Sequence, residues 1–137
     1  MYQRYLQNVR DEEELFWSTC NPPPKIKEEL FVGPIQLVVP TTRYSEVEET
    51  ITIKKKQVTG QEILQAIYDY YQQPVTLEIL EEFLNLGADD GWGYIKDAIK
   101  TIKDGNVAKR IDLMGDATWF EGIVLVRGST YTVSIGS

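Results

Sequence analysis

The sequence predicts an α+β fold: a mainly antiparallel sheet of about five strands with three short helices inserted after the second, in the order β-β-α-α-α-β-β-β, behind an extended N-terminal arm. Three observations predict it. Apolar residues alternate at period two in the segments 35–39 and 50–54. The period changes to that of a helix over residues 59–103, and alternation returns from Val107 to the C-terminal side. At 137 residues with 42% hydrophobic content the chain has the size and apolar share of one core, which divides it into an arm, 1–33, and a single domain, 34–137.

In the arm, Tyr2, Leu6 and Val9 stand at helical spacing and allow a short amphipathic helix. Asp11-Glu12-Glu13-Glu14 then crowds four like charges together, and Pro22-Pro23-Pro24 imposes extended backbone. The arm also carries Phe16, Trp17, Leu30 and Phe31, which are costly to leave in water. They are expected to dock, either along the chain's own body or on a partner.

The body begins with a strand from Ile35 to Val39 closed by Pro40, and a loop over Thr41–Glu46 follows. Ile51 and Ile53 then form one face of a half-buried strand, with Thr50, Thr52 and Lys54 on the other. Thr59-Gly60-Gln61-Glu62 fits a capping box ahead of a stripe of Ile63, Ile67 and Tyr70 or Tyr71, and Gln73-Pro74 ends that helix. Thr76 caps a second helix whose apolar face is Ile79, Leu80, Phe83 and Leu84, and Gly87 suits its left-handed stop. Asp89 or Asp90 is expected to cap a third through Tyr94, Ile95, Ala98, Ile99 and Ile102, with Gly105 beyond it. Val107 to Leu113 alternates and reads as a strand; Thr118–Val126 and Thr130–Ile135 read as a hairpin around Arg127-Gly128-Ser129-Thr130.

Composition narrows the function. There is no histidine, so imidazole-based triads, dyads and zinc sites are excluded. The lone Cys20 forms no intramolecular disulfide, no apolar run reaches the ~20 residues of a membrane span, and residues 1–5 do not open a signal peptide, which together predict a soluble intracellular protein. The net charge is −7, and residues 59–106 alone hold nine acidic groups against three basic ones. That field argues against nucleic acid as a partner, leaving Lys54-Lys55-Lys56 as a solvated strand end that guards against edge pairing. Asp112, Asp116 and Glu121 are the best carboxylates for a metal-dependent enzyme, yet their spacing fits no known motif, and with Asp89 and Asp90 they read more simply as caps and turns. No catalytic, cofactor or metal residue is assigned. Trp92, between Gly91 and Gly93, is expected in the core, whereas Trp119 and Phe120 point to opposite faces of one strand, so one ring faces the core and the other needs cover.

The segments Ile51-Thr-Ile-Lys54, Val58–Tyr71, Leu113-Met-Gly-Asp116, Trp119-Phe-Glu-Gly122 and Tyr131–Ser137 resemble a family of small uncharacterised proteins of large nucleocytoplasmic DNA viruses, over residues 48–137. The resemblance implies a protein of host cytoplasm or virion and carries no activity or functional residue. The expected function is therefore a non-enzymatic interaction or assembly module. Its partner is another protein or a second copy, met through Phe16, Trp17, Leu30, Phe31 and Trp119. The rival readings are a small carboxylate enzyme and a nucleic-acid adaptor.

Overall fold

The computed structural model describes residues 4–6, 17–43, 45–88 and 93–136, without the side chain of Arg4. The fold is α+β. Seven strands, β1 (Arg4–Tyr5), β2 (Leu30–Val32), β3 (Ile35–Pro40), β4 (Glu48–Ile53), β5 (Gln57–Thr59), β6 (Trp119–Arg127) and β7 (Thr130–Gly136), accompany three helices, α1 (Gly60–Gln72), α2 (Leu77–Asn85) and α3 (Tyr94–Lys103). Five strands form one sheet in the order β1-β6-β7-β3-β4, and β2 with β5 forms a two-stranded ribbon. Among the described residues every pairing is antiparallel except that of β3 with β7.

Alternation does what it should in β3, where Ile35, Leu37 and Val39 are fully buried and Gln36 is exposed. The capping box at Thr59 forms as read: its hydroxyl accepts from the Glu62 amide at 3.1 Å, and the Glu62 carboxylate accepts from the Thr59 amide at 3.1 Å. The helix then buries Ile63, Leu64, Ile67, Tyr70 and Tyr71 in one core cluster with Ile35, Leu37 and Val39 of β3 and Tyr131 and Val133 of β7. Tyr71 is fully buried and donates its hydroxyl to the Pro40 carbonyl at 2.7 Å, so burial of a large polar-tipped ring costs no unmade hydrogen bond. A second cluster gathers Leu80 and Phe83 of α2, Ile95 and Ala98 of α3, and Val75, Ala108 and Leu113. Thr76 caps α2 as expected.

Four expectations are corrected. Residues 107–113 are no strand: Arg110–Met114 form a 3-10 helix, because the Asp112 carboxylate takes the Lys109 amide at 2.8 Å and local side-chain bonding competes with a ladder. Leu84, placed on the apolar face of α2, is exposed. The N-cap of α3 is Gly93, not an aspartate; Asp89, Asp90, Gly91 and Trp92 lie outside the described residues. The helix anticipated at the N-terminus gives way at Arg4–Tyr5 to a short strand, since pairing with Ile123 and Val124 outweighs the local period; Tyr2 and Val9 lie outside the description.

Much of the arm lies against its own chain. The Trp17 carbonyl accepts from the Phe120 amide at 2.9 Å, and Ser18 bridges Trp119. Tyr5, Phe31 and Tyr131 close a mutual edge-to-face triad with ring centroids 5.7–5.8 Å apart. Gln61 clasps the proline-rich stretch, donating to the Pro24 carbonyl at 2.9 Å and accepting from the Ile26 amide at 3.0 Å. Gly33 is required where the ribbon meets the sheet, because a β-carbon there would stand 1.9 Å from the Lys55 carbonyl oxygen.

Candidate functional site

The two edges of the large sheet differ. That of β6 is covered by Arg4 and Tyr5 at one end and by Ser18 at the other. At the opposite edge, β4 pairs with β3 on one side, and among the described residues no strand meets its other side. Which main-chain groups face outward follows from the ladder. Thr41 donates its amide to the Val47 carbonyl and Gln36 donates to Ser129, away from β4, so Glu49, Ile51 and Ile53 bond inward to β3 while Glu48, Thr50 and Thr52 present free donors and acceptors.

Beside this edge runs a cleft of about 450 Å³ between β4 and α1, lined by Glu49, Thr50, Ile51, Ala66, Asp69, Tyr70, Gln73 and Arg110. Its inner end is a polar clamp. Arg110 is only 9% exposed; its guanidinium pairs with Glu49, donates through Nε to Gln73 Oε1 at 3.1 Å and lies 4.9 Å over the Tyr70 ring. The Tyr70 hydroxyl donates to Glu49 Oε1 at 2.5 Å. Burial first, and then its bond to the Glu49 carboxylate, push the Tyr70 hydroxyl well above the usual tyrosine range, so it stays protonated. The 3-10 segment is held to the end of α1 by backbone bonds from Arg110 to the Gln73 carbonyl at 3.0 Å and from Val75 to the Ala108 carbonyl at 2.9 Å. In chemical terms the clamp holds a neutral phenol and a compensated ion pair. It offers the cleft a fixed wall rather than a nucleophile.

Sequence reasoning missed Glu49, Tyr70, Gln73 and Arg110 as a group. The signal lay in Arg110, a cation embedded among Ala108, Ile111, Leu113 and Met114 and so bound to need a partner where the chain folds back. The residues it did select are scattered. Trp17 and Phe31 are buried, Trp17 packing at a tilt against Phe120 with ring centroids 5.5 Å apart; Leu30 is 55% exposed; Trp119 is half-buried; Phe16 lies outside the described residues. Asp112 caps the 3-10 helix, Asp116 pairs with Arg43 and Glu121 accepts from Ser134 at 2.9 Å, so the three carboxylates serve separate partners. Among the described residues no group of three or more metal-ligating side chains converges, and no helix is long and apolar enough to cross a membrane. In the lysine run, Lys55 pairs with Glu62, while Lys54 and Lys56 are exposed at the end of β4.

Fold and site together define a small α+β domain with α1 packed on one face of a mixed sheet, one sheet edge covered by its own arm and the other, among the described residues, open beside a cleft. The chain belongs to a family of unknown function, DUF6699, whose model matches residues 7–131. Comparison with curated proteins and with solved structures returns no match. None of these results bears on the viral resemblance of residues 48–137.

Proposed function

We propose that the protein is a non-enzymatic interaction module that takes an extended segment of a protein partner along the outer edge of β4, with side chains of that segment entering the cleft against α1. The observation that carries this reading is the edge itself: among the described residues no strand pairs with the outward main-chain groups of Glu48, Thr50 and Thr52, which lie beside a cleft. Strand addition uses such groups for affinity and a neighbouring helix for specificity. The cleft suits this chemistry, with Ile51, Ala66 and the Tyr70 ring as apolar walls and Asp69 and Thr50 at the rim. A second patch, on the arm, is supported by Leu30 and Val32, 55% and 80% exposed on the outward face of β2.

The test is selection of short unstructured segments from a displayed peptide library against the full chain, followed by titration on Thr50→Pro. Thr50 makes no ladder bond to β3, so proline there removes an outward donor while sparing the sheet. Selected segments should lose about tenfold or more in affinity on the variant and shift the amide resonances of Thr50 and Thr52. Segments that bind the variant equally well, or a library that yields none, would refute the reading.

A further inference from the structure

Resting on the β4 edge as a docking site, we propose that its occupant is β4 of a second copy, joining two five-stranded sheets antiparallel about a two-fold axis through Ile51. The charge pattern selects this partner and this register. Glu48 begins the strand and Lys54 directly follows it, both exposed. When Ile51 lies opposite Ile51, the outward-bonding residues pair as Thr50 with Thr52 and Glu48 with Lys54, and symmetry gives each pair twice. Opposite charges directly across a ladder attract, whereas a parallel, in-register arrangement would set Glu48 on Glu48 and Lys54 on Lys54. A lysine that repels foreign strands thus becomes an attachment point for the chain's own strand.

The helix-side residues complete the fit. Glu49, Ile51 and Ile53 are half-buried on the face packed towards α1. In the paired register Ile53 of one copy lies opposite Glu49 of the other, at the mouth of the cleft walled by Ala66 and Tyr70. Ile51 meets itself at the centre, where non-bonded pairs bring side chains closest. Six residues a side make a contact at the low end of specific interfaces, so association in the micromolar range is expected.

Sedimentation of the full chain over a concentration series is the test, with Glu48→Lys, Lys54→Glu and an equimolar mixture of the two. Each single variant sets like charge against like charge at both sites of its own dimer, so its dissociation constant should rise about tenfold or more. In the mixture the charges are complementary again at both sites, and the wild-type dissociation constant should return. A wild type that stays monomeric well beyond micromolar concentration, single variants that associate as well as the wild type, or a mixture that fails to recover would each overturn the proposal. A monomeric chain that still loses selected peptides on Thr50→Pro would discard the second copy and leave the interaction-module reading standing.

Discussion

Glu49→Ala should destabilise the fold by about 2 kcal/mol, and the reasoning runs through what it leaves behind. Arg110 is 9% exposed and Glu49 is its carboxylate partner, so the variant leaves a buried guanidinium with only neutral company: the Gln73 amide oxygen and the hydroxyl and ring of Tyr70. Breaking a fully buried pair costs about 3–5 kcal/mol; the Glu49 side chain is 35% exposed, and water screening reduces the figure to about 2. Arg110→Met removes the charge while keeping much of the stem's packing and should cost only about 1 kcal/mol. In the double variant no orphan charge remains, so its loss should fall short of the sum by about 1 kcal/mol. Urea unfolding of the four proteins measures this, and thermal midpoints should move by about 4 °C per kcal/mol for a chain of 137 residues. Strict additivity, or a loss below about 0.5 kcal/mol in Glu49→Ala, would mean that the pair is a solvated surface contact and that the clamp does not hold the cleft's inner end.

Two further outcomes are expected. Tyr70, Tyr71 and Tyr131 all have hydroxyls pushed above the ordinary value, chiefly by burial, and so bind their protons more tightly folded than unfolded. Their contribution is fully present below pH of about 10 and is lost as pH rises beyond it, so ultraviolet difference absorbance should show them ionising late or together with alkaline unfolding; ionisation near pH 10 with the fold intact would contradict their placement. Gly33→Ala puts a carbon 1.9 Å from the Lys55 carbonyl oxygen, so the β2–β5 ribbon must shift; a loss of about 2 kcal/mol or more is expected by calorimetry, and an unchanged midpoint would show that this close approach is absent.

What the sequence disclosed was local. The Thr59 capping box, the Thr76 cap, the Pro74 stop and the alternation of β3 each depend on residues within a few positions of one another, and all appear in the structure. Period alone could not separate a strand from a turn of 3-10 helix at residues 110–114, where Asp112 bonds back to its own backbone. The ribbon of β2 and β5 went unread because three-residue strands carry no period to count. The clamp was illegible for a different reason. Glu49, Tyr70 and Arg110 come from a strand, a helix and a 3-10 segment, and only the packing of α1 on the sheet brings them together.

The place of β7 carries a consequence for how the molecule is made. Among the described residues it is the last strand in chain order, yet it lies between β6 and β3, antiparallel to one and parallel to the other. Until it arrives, the local β3–β4 hairpin and the long-range pair of β1 with β6 are two separate fragments, and Ile35, Leu37 and Val39 have no strand on one flank. A nascent chain emerging from the ribosome cannot complete its sheet piecemeal. Closure waits for residues 130–136, and because it joins segments nearly a hundred positions apart it belongs to the slower class of folding reactions. Deleting residues 130–136 would therefore leave the β3–β4 and β1–β6 pairs without the strand that joins them, rather than a slightly smaller sheet.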